Sequence, residues 1–129
     1  MNIMYVCINQ SALKVGQVKG RENYYECIRK YWELNEANLK KAKQVDYVAG
    51  VFNGIVLDIY KPRKWDIVRN FPDMLEDFEV KKNPKYLNCY AFEGDSTGND
   101  VPAEVKKKYK DKPYPKKFSR DVVYHFFEE

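Results

Sequence analysis

The sequence has few of the residues that build metal sites or disulfide frameworks. Its three cysteines, Cys7, Cys27 and Cys89, are far apart and have no Cys-x-x-Cys spacing, and His125 is the single histidine. This set is too small for a zinc site. An odd number of scattered cysteines, with no signal peptide, favours a reducing cytoplasm. We therefore expect a cytoplasmic protein without a metal or other cofactor.

Long apolar runs and sequence motifs of common enzymes are missing as well. No run of about eighteen apolar residues occurs, so we expect no membrane span. The serines Ser11, Ser96 and Ser119 have no Gly-x-Ser-x-Gly context, and there is no glycine-rich phosphate-binding motif. His125 lies in an apolar stretch that predicts a packed or edge histidine. Nucleophilic catalysis has little support, and a binding function is favoured over an enzymatic one.

Basic residues are abundant but unevenly distributed along the 129 residues, whose net charge is +4. The segment 104–120 carries eight basic residues against two acids, whereas the segment 66–79 carries five acids and one arginine. The basic segment is either a solvated helix and loop or a surface for a polyanion. Eleven tyrosines bring the aromatic content to 16%, and tyrosine serves both packing and base stacking.

The strongest local signal is a β-hairpin over residues 46–60. Asn53-Gly54 suits a two-residue type I′ turn, and Val, Ile, Phe and Tyr flank it on both sides. The turn predicts that Val51 faces Val56 and that Tyr47 faces Tyr60 at the far end. One face would then be wholly apolar core. The other would carry Tyr47, Asp58 and Tyr60, as a pocket wall or a second core layer.

The remaining elements complete an α+β fold in one domain, residues 1–129. Strands are predicted over residues 2–9, 12–18, 86–93 and 120–127. Helices are predicted over residues 22–34, 36–44, 73–78 and 102–109, with Asn35 and Asp100 as caps. The arrangement favours a small, curved, mixed or antiparallel sheet or a partly open barrel, with the N-terminal helices packed at its edge.

Seven residues form the predicted ligand-binding set. Aromatic side chains around the hairpin, two cations and one carboxylate would frame a cleft in which a base stacks and a phosphate is neutralised. For each of the two tryptophans taken alone, a place in the core is slightly favoured, but their grouping with the hairpin favours binding. The set comprises Lys14, Arg21, Trp32, Tyr47, Asp58, Tyr60 and Trp65.

A metal-dependent nuclease is the main enzymatic alternative. Asp58 on a strand, followed later by Glu79-Val80-Lys81, satisfies the Asp…Glu-x-Lys pattern in which two carboxylates hold Mg²⁺ and a lysine helps to activate water. The spacing is permissive and recurs by chance. An acidic solvated face explains the same residues.

Several short motifs occur together along the chain: Tyr31-Trp32-x-Leu34-Asn35, Lys41-Ala42, the segment 46–56, Tyr60-Lys61-Pro62 with Trp65, and Phe92-Glu93-Gly94. In this pattern the chain resembles small uncharacterised proteins of bacteria and their phages or mobile elements. More loosely, residues 24–65 are similar to PUA-like domains, which include the EVE, YTH and ASCH domains. The resemblance implies a pseudo-barrel whose cleft holds a nucleobase, with Trp32 and Asp46 framing it. Val45 stands where PUA-like domains usually have glycine.

The sequence is therefore compatible with three functions. The first is non-enzymatic binding of nucleic acid or a nucleotide-type ligand, with the resemblance implying a role in host nucleotide signalling or defence. The second is a protein-interaction module, such as a phage inhibitor of a host enzyme, that uses the basic segment 104–120. The third is the magnesium-dependent nuclease.

Overall fold

The predicted hairpin is present in the computed structural model, which describes residues 1–128. Strand β2 (Tyr47–Phe52) turns into β3 (Ile55–Tyr60) through Asn53 and Gly54, whose φ angles are 49° and 80°. Both angles are positive, as a type I′ turn requires, and Asn and Gly tolerate them best. The turn brings Phe52 opposite Ile55, as predicted.

A β-bulge changes the hairpin register beyond Val51. Val51 still faces Val56, but Gly50 faces Asp58 rather than Leu57, so Leu57 is the extra residue of β3. Every later pair is displaced by one position, and Tyr60 lies opposite Val48 instead of Tyr47. The predicted apolar face is therefore wrong at its far end.

The main sheet is open. Its strand order is β3-β2-β1-β6, where β1 is Asn2–Cys7 and β6 is Tyr124–Glu128. Strand β1 runs parallel to β2 and antiparallel to β6. The expected α+β class is confirmed, but the strongly curved, barrel-like sheet is not formed, because β3 and β6 lie at opposite edges.

The two edges of this sheet differ. The backbone of residues 111–114 covers β3: Val56 N–H donates to Lys112 O at 3.0 Å, and Tyr114 N–H donates to Gly54 O at 2.7 Å. Strand β6 is the other edge strand of the sheet and pairs with β1 alone. An edge strand of this kind offers backbone groups and side chains to a ligand.

The remaining elements frame this sheet. Strands β4 (Pro62–Ile67) and β5 (Tyr90–Gly94) form a separate antiparallel pair. Four short helices occur within residues 1–128: α1 (Tyr24–Ile28), α2 (Glu36–Ala42), α3 (Phe78–Lys82) and α4 (Ala103–Tyr109). Short 3₁₀ helices span Ser11–Lys14, Val68–Asn70, Pro72–Glu76 and Pro84–Asn88.

Both faces of the main sheet are buried. On one face Met4, Val6 and Val48 pack with Ile28 of α1 and with Phe92 of β5. On the other face a second cluster forms around α4, with the members Ile3, Tyr5, Ala49, Val51, Val56, Ile59, Val101, Val105 and Tyr109. Helix α1 therefore covers a face of the sheet rather than its edge, whereas α2 reaches the β6 edge through Asn38.

Several predicted elements differ in the structure. Residues 12–18 contain a 3₁₀ helix rather than a strand. The helix predicted over 22–34 ends at Ile28, because Trp32 exchanges backbone hydrogen bonds with Tyr90. The helix predicted over 73–78 is 3₁₀ up to Glu76, and residues 84–88 are also 3₁₀. Asn35 caps α2 as expected, but Pro102 rather than Asp100 precedes α4.

No helix within residues 1–128 has the length and apolar character needed to cross a lipid bilayer. The longest α-helices of that range, α2 and α4, have seven residues each.

Close packing at Gly50 gives a test of the fold. A Cβ at Gly50 would collide with the side chain of Ile28, so Gly50→Ala should lower the free energy of unfolding by about 1–3 kcal/mol. Urea denaturation measures this loss.

Truncation of Ile28 supplies the control for this prediction. Ile28→Ala alone should also destabilise the protein, but it removes the atoms that the new Cβ would meet. The double variant should therefore be more stable than the sum of the two losses predicts. Strict additivity would contradict the packing of α1 against β2.

Candidate functional site

The two cations of the predicted cleft both pair with Glu79. Arg21 is 5% exposed, and its guanidinium donates from Nε and Nη2 to the two carboxylate oxygens of Glu79, at 3.0 Å each. Its Nη1 donates to Glu26 O at 2.7 Å. Lys14 is half exposed and lies 3.5 Å from Glu79. The group predicted to neutralise phosphate is thus already paired with a carboxylate.

Burial affects the pKa values of this pair in opposite ways. Desolvation alone would raise the pKa of Glu79, but the hydrogen bonds and charge of Arg21 outweigh it, and the pKa lies below its ordinary value of 4.5. Desolvation would lower the pKa of Arg21, and Glu79 reverses that effect, so the pKa is raised. Both groups are therefore charged across the physiological pH range.

The Arg21–Glu79 pair belongs to a larger ionic network between α1 and the segment 73–79. Lys30 is 2% exposed, and its Nζ lies 2.8 Å from Asp77 and 2.9 Å from Glu26. Arg29 is 5% exposed and lies 2.7 Å from Asp73. Three buried cations are thus matched by carboxylates, as buried charges must be. This network fixes the position of α1, and its internal pairing explains its burial.

The aromatic members of the predicted set lie mostly in the core. Trp32 is 6% exposed and its Nε1 donates to Ile28 O at 2.8 Å. Trp65 is 8% exposed, and its ring centroid is 5.2 Å from that of Phe92. Tyr60 is 5% exposed and packs edge-to-face on Tyr25. These three side chains belong to the cluster around α1.

The other two members do not complete a cleft. Tyr47 packs against the opposite cluster, around α4, and is half-buried. Asp58 accepts a hydrogen bond from the Tyr60 hydroxyl at 3.0 Å and lies 3.9 Å from Lys110 Nζ. Desolvation, together with the Asp58 charge and hydrogen bond, raises the pKa of Tyr60. Three of the seven residues thus lie in the core layer around α1, and Tyr47 packs against the other layer. The structure does not gather the set around one opening, and its ligand-binding role stays a prediction.

The carboxylates of the nuclease hypothesis are also separately engaged. Glu79 is bound by Arg21, whereas Asp58 is bound by Tyr60. Within residues 1–128 no group of three or more His, Cys, Asp or Glu side chains is arranged to hold a metal ion.

An open groove beside the edge strand β6 has a volume of about 800 Å³. This β6 groove is lined by residues 31–33, by Asn38 and Lys41 of α2, by Lys116, and by residues 120–126. Trp32 is the one member of the predicted set that borders it. Its volume falls within the range of binding sites for small organic ligands.

Aromatic rings form one wall of the β6 groove. Tyr124 and Phe126 point to the same side of β6, with centroids 5.7 Å apart in an edge-to-face arrangement. The Tyr124 hydroxyl accepts from Asn38 Nδ2 at 2.9 Å and donates to Glu33 O at 3.0 Å, which holds β6 against α2. Lys41 Nζ lies 5.9 Å from the centre of the Phe126 ring. Partly exposed rings are therefore combined with a cation in one place.

The opposite side of β6 carries its own aromatic cluster. His125 stacks on Phe118 with centroids 4.5 Å apart, and its Nδ1 lies 2.6 Å from the Tyr114 hydroxyl. Desolvation, with a smaller effect of Lys116, lowers the pKa of His125 below its ordinary value of 6.5. Burial raises the pKa of Tyr114 to about 12. His125 is therefore neutral at pH 7, a packed edge residue as the sequence predicts.

Positive charge surrounds this edge strand. The groove lining contributes Lys41, Lys116 and Arg120 against Glu33 and Asp121. Lys116 and Arg120 are exposed and form no ion pair within residues 1–128. They continue a run of basic residues from α4 onward, comprising Lys106, Lys107, Lys108, Lys110, Lys112, Lys116, Lys117 and Arg120.

The sequence predicts part of this groove. It offers the basic segment 104–120 as a solvated helix and loop, as a surface for a polyanion or as a surface for a protein partner, and Lys116 and Arg120 of that segment line the groove. For Tyr124 and Phe126 it predicts a strand. Their alternation with His125 and Phe127 indicates a strand with aromatic side chains on both faces. The pairing of β6 with β1, which makes it an edge, depends on long-range topology.

No protein-family model matches the chain, and neither a curated protein nor a solved structure shows significant similarity to it. The resemblance to PUA-like domains and to small phage proteins therefore stays a prediction.

The Arg21–Glu79 pair gives a stability prediction. Glu79→Gln leaves the buried guanidinium without a matching charge and should lower the free energy of unfolding by roughly 3 kcal/mol near neutral pH. Glu76→Gln is the matched control, because Glu76 pairs with Lys81 in solvent and its loss should change stability little.

The pH dependence of that difference follows from the lowered pKa of Glu79. Its contribution is fully present above the ordinary pKa of 4.5 and is lost as the pH falls through the lower pKa of the folded state. Urea titrations of wild type and Glu79→Gln should therefore converge in acid. A constant difference from neutral to acidic pH would contradict the ionic role of Glu79.

Proposed function

We propose that the protein binds single-stranded nucleic acid in the β6 groove, without catalysing a reaction. The observation that carries the proposal is the combination of partly exposed aromatic rings on an edge strand with three cations around an open groove of about 800 Å³. Single-strand binding sites generally pair a basic path for phosphates with rings on which bases stack.

Phosphate recognition is assigned to Lys41, Lys116 and Arg120. These side chains come from α2 and from the segment before β6, and all three line the groove. The basic run from Lys106 onward would extend the positive path beyond the groove. Neutralisation of phosphates makes such binding strongly dependent on salt.

Base recognition is assigned to Tyr124 and Phe126. Tyr124 is held by Asn38 and by the backbone of Glu33, so its ring is fixed before a ligand arrives. A fixed ring loses little conformational entropy when a base stacks on it. The backbone of β6 adds hydrogen-bonding groups along its outer edge.

The other two candidate functions differ from this one in the residues or in the ligand that they require. A protein partner with an acidic surface would also require the basic segment 104–120, but it would not require bases. A magnesium-dependent nuclease has no specific observation in its favour, because the carboxylates of Asp58 and Glu79 are engaged separately. The cytoplasmic location, the phage context and the PUA-like relationship remain expectations attached to this proposal.

Fluorescence anisotropy with a labelled oligothymidylate tests the proposal. The variant Lys116→Ala/Arg120→Ala should weaken binding at low salt, because two phosphate contacts are lost. The slope of log K against log salt should decrease in magnitude by about 1.4, at about 0.7 for each contact with a single strand.

Two controls give this experiment its specificity. Lys19→Ala/Lys61→Ala removes the same charge from exposed positions outside the groove and should bind like the wild type. An oligomer of abasic residues keeps the phosphates and should bind more weakly than oligothymidylate. Equal binding of both oligomers, or equal losses in both double variants, would contradict recognition by the β6 groove.

A further inference from the structure

A second, smaller cavity lies on the other side of β6, with a volume of about 260 Å³. Its walls come from Tyr5 of β1, Val56 of β3, Tyr109 at the end of α4, residues 112–116, and Phe127 of β6. This volume is below that of sites for drug-sized ligands, so the cavity suits one small, flat group. We refer to it as the Phe127 cavity.

The walls of the Phe127 cavity are mainly aromatic. Tyr5 and Tyr114 are stacked with centroids 4.3 Å apart, and Phe127 meets Tyr5 edge-to-face at 6.4 Å. Tyr5 is buried, whereas Phe127 is 39% exposed. The inner rings are thus held in place by packing, and Phe127 offers an accessible ring at the mouth.

Lysines provide the polar part of the cavity. Lys108, Lys112 and Lys116 line it, and the described residues of its lining include no Asp or Glu. Lys116 Nζ lies 5.8 Å from the centre of the Phe127 ring. An aromatic interior with a cationic rim is suited to a flat group that carries a negative charge beside it. A nucleobase attached to its phosphate has this chemistry.

Lys116 connects this cavity to the β6 groove, since it lines both. Successive side chains of β6 alternate between the two, because Phe126 faces α2 and Phe127 faces Tyr5. We propose that one nucleic-acid strand crosses the outer edge of β6 at Lys116, with a base in the Phe127 cavity and neighbouring bases in the groove. This inference rests on the proposed function and makes the ligand a polymer rather than a mononucleotide.

Replacement of the exposed ring tests this crossing. Phe127→Leu keeps an apolar side chain and removes the ring, so it should weaken binding of an eight-residue oligothymidylate about tenfold in anisotropy titrations. Phe127→Trp restores a ring and should restore the affinity. Circular dichroism of each variant checks that the overall secondary structure of the protein is retained.

Ligand length separates the cavity from the groove. A thymidine mononucleotide carries one base and cannot occupy both sites, so Phe127→Leu should weaken its binding less than it weakens binding of the eight-residue oligomer. Equal affinity of the two proteins for the eight-residue oligomer, with the Lys116→Ala/Arg120→Ala variant still defective, would overturn the crossing and leave the groove proposal intact. Failure of the wild type to bind the eight-residue oligomer would overturn both proposals. A loss in Phe127→Leu that is equal for the mononucleotide and the octamer would also contradict the crossing.

Discussion

Burial of the main sheet on both faces is the constraint on which the rest of the structure depends. Strands β1 and β2 are paired on both sides, and their side chains enter one core layer around α1 or another around α4. Side chains in such a position stabilise the fold by removing apolar surface from water and are not accessible to a ligand. Accessible rings and charges must therefore come from the margins of the sheet, and β6 is the margin where both occur.

The ionic network around Arg21, Lys30 and Glu79 maintains one of these core layers. It joins α1 to α3 and the preceding segment, and α1 in turn covers Val48 and Gly50 of β2. Because buried charges are costly unless they are paired, the network favours one arrangement of these elements over alternatives with unpaired groups. Its residues act on the site indirectly, by holding the scaffold from which β6 extends.

Local chemistry in the sequence predicted the elements that depend on neighbouring residues. The Asn53-Gly54 turn, the Asn35 cap and the first strand are examples, since each depends on residues a few positions apart. The bulge at Leu57 and the early end of α1 depend on contacts with distant segments, such as the pairing of Trp32 with Tyr90. The positions of the candidate site residues depend on such contacts as well. Aromatic residues near the hairpin can stack on a base or fill a core, and tertiary packing decides between the two.

We propose ligand recognition at the β6 edge rather than around the hairpin. Titration of ¹⁵N-labelled protein with a short oligothymidylate, followed through amide chemical shifts, tests this location. Binding at the edge predicts the largest changes at Lys116, at Arg120 and along Tyr124–Glu128, with small changes in β2 and β3. Changes concentrated around Arg21, Tyr60 and Trp65, or none at all, would contradict it.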